Sequence, residues 1–362
     1  MTSAIVFLIL GLILLVGSAE SLVKGASRLA AAMGISPLVV GLTVVAFGTS
    51  APELAVSVMA TLKGQADIGL GNIVGSNIFN ILVILGLSAV ITPLVVAHQL
   101  VRLDVPVMIV LSTLVLVLGL DGQIGNLDGI LLFAGAIAYT SFLIRQSRRQ
   151  TNAQVKAQYE NEFGATKKEE TAWFKNLALV ALGVGGMILG SKWLVDGAIT
   201  IARHFGVSEL IIGLTIVSLG TSLPEVATSV IAAVRGERDI AVGNVVGSNI
   251  FNIVTVLGIS AAISPAGIPV PPAALHFDIP VMIGIAVVCL PVFFSAYRIG
   301  RFTGFVFLSF YLLYLAYLLL SSTDSPMFAG YRHGLLFYVL PLTLIMVCRI
   351  TWRGLRKSHL NG

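Results

Sequence analysis

The sequence predicts an all-α polytopic membrane protein made of two inverted five-helix repeats, with an eleventh transmembrane helix at the carboxyl end. Three observations carry this expectation. The composition is 57% hydrophobic and 11% charged, whereas an ordinary soluble domain is about one quarter charged. Apolar runs of about 20 residues, the length a helix needs to cross the hydrocarbon core, recur along the whole chain. Residues 41–80 also align with residues 213–252 at a fixed offset of 172, with 25 identities in 40 positions, where apolar composition alone would give roughly four.

Taken in order, the apolar runs place spans near residues 4–30, 36–61, 67–92, 103–120 and 128–145, which form a first repeat over 1–145. A polar linker over 146–173 follows. The pattern restarts with spans near 174–202, 207–234, 239–264, 277–296 and 302–321, a second repeat over 174–321, and residues 322–362 add a final apolar run at 334–352 with a basic tail. The first twenty residues imitate a cleaved signal peptide, but no Lys or Arg precedes Ile5 and the segment has a counterpart later in the chain.

Five spans separate equivalent positions, an odd number, so the two copies must run in opposite directions through the bilayer. Charge sorting sets the orientation. With the amino terminus outside, 17 of the 22 Lys and Arg residues fall on the cytoplasmic side, among them Arg102, Arg145, Lys167, Lys168, Arg235, Arg298 and Arg353. The net charge of +5 is thus a topology signal rather than a nucleic-acid surface. Cys289 and Cys348 both lie in apolar runs and support neither a disulfide framework nor a thiolate metal site.

Polar chemistry concentrates in the repeated core. Gly48-Thr49-Ser50-Ala51-Pro52-Glu53 returns as Gly220-Thr221-Ser222-Leu223-Pro224-Glu225. Each is followed by a Gly-Asn-x-x-Gly-Ser-Asn-x-x-Asn run, residues 71–80 and 243–252. A carboxylate inside a membrane span is costly and marks a functional site by default. Pro52 and Pro224 have no N–H to offer, so they should kink their helices and free the carbonyls of Gly48 and Gly220. Residues three and four apart share a helix face, so Thr49, Ser50 and Glu53 can converge, as can Ser76 and Asn80 on the next span. The second copy brings Thr221, Ser222, Glu225, Ser248 and Asn252. Carboxylate, hydroxyl, amide and carbonyl oxygens together form the donor set of hard cations.

Lone Ser, Asn and Gly residues in membrane helices more often pack helices together, and Ser57, Ser229, Gly71 and Asn72 carry that reading. Glu20 with Lys24, and Lys192 with Asp196, are spaced as intrahelical ion pairs. Asp104 and Asp278, each two residues before a proline, are spaced as helix caps. The five histidines lie at span edges or in loops without metal-ligand spacing, and the glycines of residues 69–75 imitate a dinucleotide fingerprint that no strand precedes.

The duplicated Gly-Thr-Ser-x-Pro-Glu and Gly-Asn-x-x-Gly-Ser-Asn-x-x-Asn motifs resemble the two α-repeats of the calcium/cation antiporter superfamily, and most closely its prokaryotic Na⁺/Ca²⁺ exchangers. The resemblance covers residues 4–321. It implies a ten-helix exchanger core in which spans 2, 3, 7 and 8 enclose the ions while spans 1 and 6 slide across them. It also implies a ligand set of Thr49, Ser50, Glu53, Ser76, Asn80, Thr221, Ser222, Glu225, Ser248 and Asn252, with the carbonyls of Ala46 and Ser218. K⁺-requiring relatives carry an aspartate where this chain has Asn252, so two carboxylates and no K⁺ coupling are implied.

The expected function is secondary antiport of Na⁺ against Ca²⁺, probed against H⁺/Ca²⁺ exchange, a passive cation channel and an intramembrane hydrolase using the carboxylates as acid and base. Against the hydrolase, the ring of hydroxyl and amide ligands is superfluous to an acid–base pair. The remaining expectations are no enzyme activity, no cofactor beyond the transported Ca²⁺ and Na⁺, the lipid bilayer as partner, no nucleic acid, and a homo-oligomer as an option. The expected location is the inner or plasma membrane, with the carboxyl terminus cytoplasmic.

Overall fold

The computed structural model of this chain describes residues 2–33, 35–149, 173–205, 218–294, 297–323, 325–345 and 348–349. Most of the expected linker, residues 206–217 at the start of the seventh span, and the basic tail after Arg349 lie outside the described residues. Helix α1 covers Thr2–Met33, and α2 is a pair of arms, Pro37–Thr49 and Ala51–Leu62, bent by 45°. Then come α3 (Ile68–Ile91), α4 (Leu100–Asp121) and α5 (Asn126–Arg149). The second half contains α6 (Trp173–His204), α7 (Leu223–Val234, preceded by a turn at Ser218–Gly220), α8 (Arg238–Ile263), α9 (Ala274–Phe294), α10 (Arg301–Ser322) and α11 (Phe328–Ile345). Each lies within several residues of the run that predicted it, except that the expected start of the seventh span falls outside the described residues.

Burial separates centre from rim. The apolar windows of α3 and α8 are 78% and 83% buried, against 22–33% for α1, α4, α5, α6 and α9, 11% for α10 and none for α11. Two repeat-equivalent helices therefore form the middle, and the apolar outer faces are left to lipid. Two short antiparallel ribbons stitch the repeats together. Strand β1 (Leu94–Val95) pairs with β4 (Arg298–Ile299), and β2 (Gln123–Ile124) with β3 (Ile268–Pro269), so each ribbon joins a loop of one repeat to a loop of the other.

Helices α1 and α6 pack on each other along nearly their whole length, and small residues decide how. Gly11, Ser18 and Gly25 on α1 are seven apart, as are their repeat equivalents Gly183, Gly190 and Gly197 on α6. An added Cβ at Gly197 would lie 3.0 Å from the Leu8 nitrogen, at Gly190 2.7 Å from that of Leu15, and at Gly183 2.7 Å from that of Leu22. One helix advances seven residues as the other retreats seven, the signature of an antiparallel crossing. Lipid gives helices no hydrophobic reason to associate, so close backbone approach through small residues supplies the dispersion that holds them.

Three polar expectations change here. Glu20 pairs with Arg235 at the end of α7 rather than with Lys24. Asp104 does not cap its helix: it accepts from Tyr139 Oη at 2.8 Å and Gln99 Nε2 at 3.2 Å, because α5 packs over it. Asp278 accepts from Tyr314 Oη at 2.9 Å in the same way. A buried carboxylate is satisfied by the donor that packing brings, which spacing along one helix does not reveal.

Replacing Gly190 or Gly183 with Val should lower unfolding free energy in detergent by about 1–3 kcal/mol through overpacking. A scanning-fluorimetry midpoint checks this, with Gly185→Val as control, since a Cβ there meets nothing within 4 Å.

Candidate cation site

The site begins with a break in α2 and its equivalent in α7. Ser50 (φ −80°, ψ 8°) and Ser222 (φ −88°, ψ 5°) leave helical geometry, and each helix restarts with its proline in the first turn. There the missing proline N–H costs nothing. Glu53 and Glu225 consequently stand in the first turn of the restarted helices, where the positive end of the peptide dipoles favours a carboxylate. The expected kink is present. The carbonyl it frees at Gly220 does not serve the site, however, because it accepts a 2.6 Å hydrogen bond from Ser191 Oγ on α6. The Ala46 carbonyl accepts from the Ser50 N–H at 3.0 Å and lies 3.3 Å from Thr49 Oγ1. Ser218 opens the turn before α7.

Across the interface the repeats exchange hydrogen bonds. Ser50 Oγ donates to Glu225 Oε1 at 3.0 Å, and Ser222 Oγ donates to Glu53 Oε1 at 2.9 Å. Ser222 Oγ also lies 3.1 Å from Ser76 Oγ. Both glutamates are 0% exposed. Thr49 Oγ1 donates to Asn244 Oδ1 at 3.1 Å and Thr221 Oγ1 to Asn72 Oδ1 at 3.3 Å, again a matched pair. Those amides are oriented in turn by Ser229 Oγ, 2.9 Å from Asn244 Nδ2, and Ser57 Oγ, 3.1 Å from Asn72 Nδ2.

A second layer comes from Asn77 and Asn249, which the sequence displayed inside the motifs without indicating a role. Asn80 Nδ2 donates to Asn249 Oδ1 and Asn252 Nδ2 to Asn77 Oδ1, both at 3.0 Å. Asn77 Nδ2 donates to the Asn249 carbonyl, and Asn249 Nδ2 to that of Asn77, both at 3.2 Å. Fixing the amide nitrogens of Asn80 and Asn252 leaves their Oδ1 atoms without partners. Glu53 Oε2, Glu225 Oε2 and Ser248 Oγ are also buried and unpartnered. Five such oxygens on residues already singled out as ligands are unusual, since buried polar atoms are normally satisfied and costly when they are not. A hard cation satisfies oxygens of this kind together and balances the two carboxylates.

Backbone geometry contributes as well. π-helical turns run over Asn80–Leu85 and Asn252–Leu257, each starting at a candidate ligand. Such turns widen a helix locally and concentrate at functional positions. Among the described residues no group of three or more His, Cys, Asp or Glu comes together, so neutral oxygens dominate the donor set. Outside the spans, Glu237 accepts a 2.6 Å bond from Ser27 Oγ on α1. Burial pushes the Glu237 carboxyl up, while Ser27 and the Arg235 guanidinium pull it back.

With this geometry in place, the chain can be compared with known proteins. A family model described as sodium/calcium exchanger protein matches residues 3–145 and 175–320, the two repeats without the linker. The sodium/calcium exchanger MaX1 of Methanosarcina acetivorans is 32% identical over 341 residues, covering 86% of this chain and 97% of that protein. The inner membrane protein YrbG of Escherichia coli (strain K12) is 39% identical over 294 residues, covering 80% and 88%. A solved structure of the sodium-calcium exchanger NCX_Mj, soaked with zero Na⁺ and Ca²⁺, superposes with a TM-score of 0.74 at 31% identity, covering 88% of this chain and 99% of that one. Two matched inverted repeats, a shared fold and a relative aligned along almost its whole length lead to one conclusion: the chain belongs to the sodium/calcium exchanger protein family.

Proposed function

We propose that this protein exchanges Na⁺ for Ca²⁺ by alternating access at the site between α2, α3, α7 and α8, and extrudes Ca²⁺ from the cytoplasm. The carrying observation is the pair of fully buried glutamates. Each has one oxygen held by a serine of the opposite repeat and the other unpartnered, amid unpartnered amide and hydroxyl oxygens. A site with two carboxylates suits one Ca²⁺ or more than one Na⁺. The same carboxylates cannot serve both loads in full, and moving them empty would expose unbalanced charge to lipid, so exchange becomes obligatory. Neutral oxygens in this number favour Na⁺ over H⁺ as the driving ion, since a proton needs only the carboxylate. The transported ions are substrates, and the ligands are Thr49, Ser50, Glu53, Ser76, Asn80, Thr221, Ser222, Glu225, Ser248 and Asn252 with the carbonyls of Ala46 and Ser218.

Alternation is supported by an asymmetry. The α1–α6 pair is symmetric in itself but docks unevenly on the core. Glu20 with Arg235, Ser27 with Glu237, and Ser191 with the Gly220 carbonyl all fasten the pair to the second repeat. Their repeat equivalents are Lys192 with Lys63, Ile199 with Gln65, and Ala19 with Gly48, none of which can form the same bond. Sliding the pair towards α2 breaks these bonds without making equivalent ones, and opens the site to the other face. Charge sorting puts the amino terminus outside and the carboxyl terminus in the cytoplasm.

In proteoliposomes with Na⁺, K⁺ and pH gradients imposed one at a time, ⁴⁵Ca²⁺ uptake should follow the Na⁺ gradient alone. Uptake that follows a pH step and ignores Na⁺ overturns Na⁺ coupling. Glu53→Gln and Glu225→Gln should each reduce exchange at least about 100-fold, as expected for unbalancing a buried charged site. Activity retained by both would sink the scheme. Asn249→Leu, which frees Asn80 to turn, should raise the half-saturating Ca²⁺ concentration about ten-fold, the cost of an unsatisfied buried amide, with the protein still eluting as a folded species.

A further inference from the structure

One buried hydroxyl beside the glutamates has no counterpart in the other repeat. Thr255 lies three residues beyond Asn252 on α8 and is 4% exposed, and its Oγ1 is buried without a hydrogen-bond partner. Other membrane-helix threonines avoid that cost by bonding the carbonyl four residues back, as Thr43 does to Val39 at 2.6 Å and Thr61 to Ser57 at 2.8 Å. Thr255 instead lines a small cavity with Ser50, Leu54, Phe47, Phe251 and Val256. The cavity holds about 10 Å³, roughly what a single water requires.

Ser50 and Thr255 are the two hydroxyls of an otherwise apolar wall. Ser50 in turn donates to Glu225, so the cavity stands one hydroxyl away from a site carboxylate. Leu54 lies towards the Leu62 end of α2, and Thr255 and Val256 towards the Ile263 end of α8. Both helices finish on the same face of the membrane. The equivalent wall in the other repeat is Leu219, Ser222, Val226, Phe79, Val83 and Ile84. There Val83 replaces Thr255, and valine has the shape of threonine without its oxygen.

Resting on the exchange reading above, we infer that Thr255 is a further cation ligand, holding the ion beside Ser50 on the side of the Leu62 and Ile263 ends. The hydroxyl replaces part of the hydration shell before the ion passes to Glu225. The equivalent wall, with Val83, offers no such oxygen. The two faces of a nearly two-fold site thus acquire different affinities from one side chain.

Thr255→Val tests this with little risk to folding, because the hydroxyl bonds nothing in the protein and the equivalent turn already carries Val83. Equilibrium ⁴⁵Ca²⁺ binding to the purified full chain should weaken about five-fold, the effect of one lost polar contact. In oriented proteoliposomes the half-saturating Ca²⁺ concentration should rise by a similar factor from the Leu62/Ile263 face alone, and Thr255→Ser should restore both. Unchanged binding, or half-saturation raised equally from both faces, overturns the assignment even if the wild type exchanges Na⁺ for Ca²⁺ normally. If the wild type shows no exchange in any gradient while Thr255→Val still weakens binding, the exchange reading fails and the ligand assignment stands.

Discussion

Two carboxylates buried inside a chain that is only 11% charged impose the constraint on which the rest of the architecture depends. Each is held by a serine from the opposite repeat, Ser222 on Glu53 and Ser50 on Glu225. Neither half can complete the site alone. The prolines place these serines at helix breaks, the asparagine layer locks the facing amides, and α3 and α8 are buried deeply enough to exclude lipid. A low-dielectric surrounding strengthens every satisfied contact and makes every orphaned oxygen expensive. The unpartnered oxygens of Glu53, Glu225, Asn80, Asn252 and Ser248 therefore read as capacity reserved for a cation.

The glycine stripes of α1 and α6 solve a separate problem. On the exchange reading proposed above, the α1–α6 pair moves against the core and must hold together while only lightly fastened to it. Backbone contact along matched seven-residue steps provides cohesion within the pair. Among the described residues, the bonds to the core include one ion pair at a partly exposed end, Ser27 on Glu237, Ser191 on a proline-freed carbonyl and Thr228 on the Met187 sulfur. Partly exposed ion pairs contribute little, typically below about 1 kcal/mol, which suits a contact that must be broken and remade.

Departures from two-fold symmetry carry information that the symmetry itself does not. The hydrogen bonds around the two glutamates are matched almost bond for bond. The docking of α1 and α6 is unmatched, because the residues at the equivalent positions of the other repeat cannot form the same bonds. Thr255 against Val83 is a further difference built into the sequence, this one beside the glutamates rather than at the docking surface.

The sequence by itself determined the helical spans, the repeat, its inversion and the identity of the polar motifs, because apolar run length, repeat offset and a carboxylate in lipid are properties of the chain alone. It also predicted the break at Pro52 and Pro224, since the missing N–H is local. Only the tertiary structure decided which partner each polar atom takes. Gly220 lends its carbonyl to Ser191, Glu20 reaches Arg235 in place of Lys24, and Asp104 takes Tyr139, all across long sequence separations. The roles of Asn77 and Asn249 were hidden for the same reason: each orients an asparagine of the other repeat, about 170 residues away. The seven-residue small stripes were legible in principle, since Gly183, Gly190 and Gly197 stand in plain register, but only the packed pair gives that spacing a meaning. Spacing along a helix says which residues share a face. Which neighbour meets that face depends on how the two repeats interlock, and no segment of the chain encodes that separately.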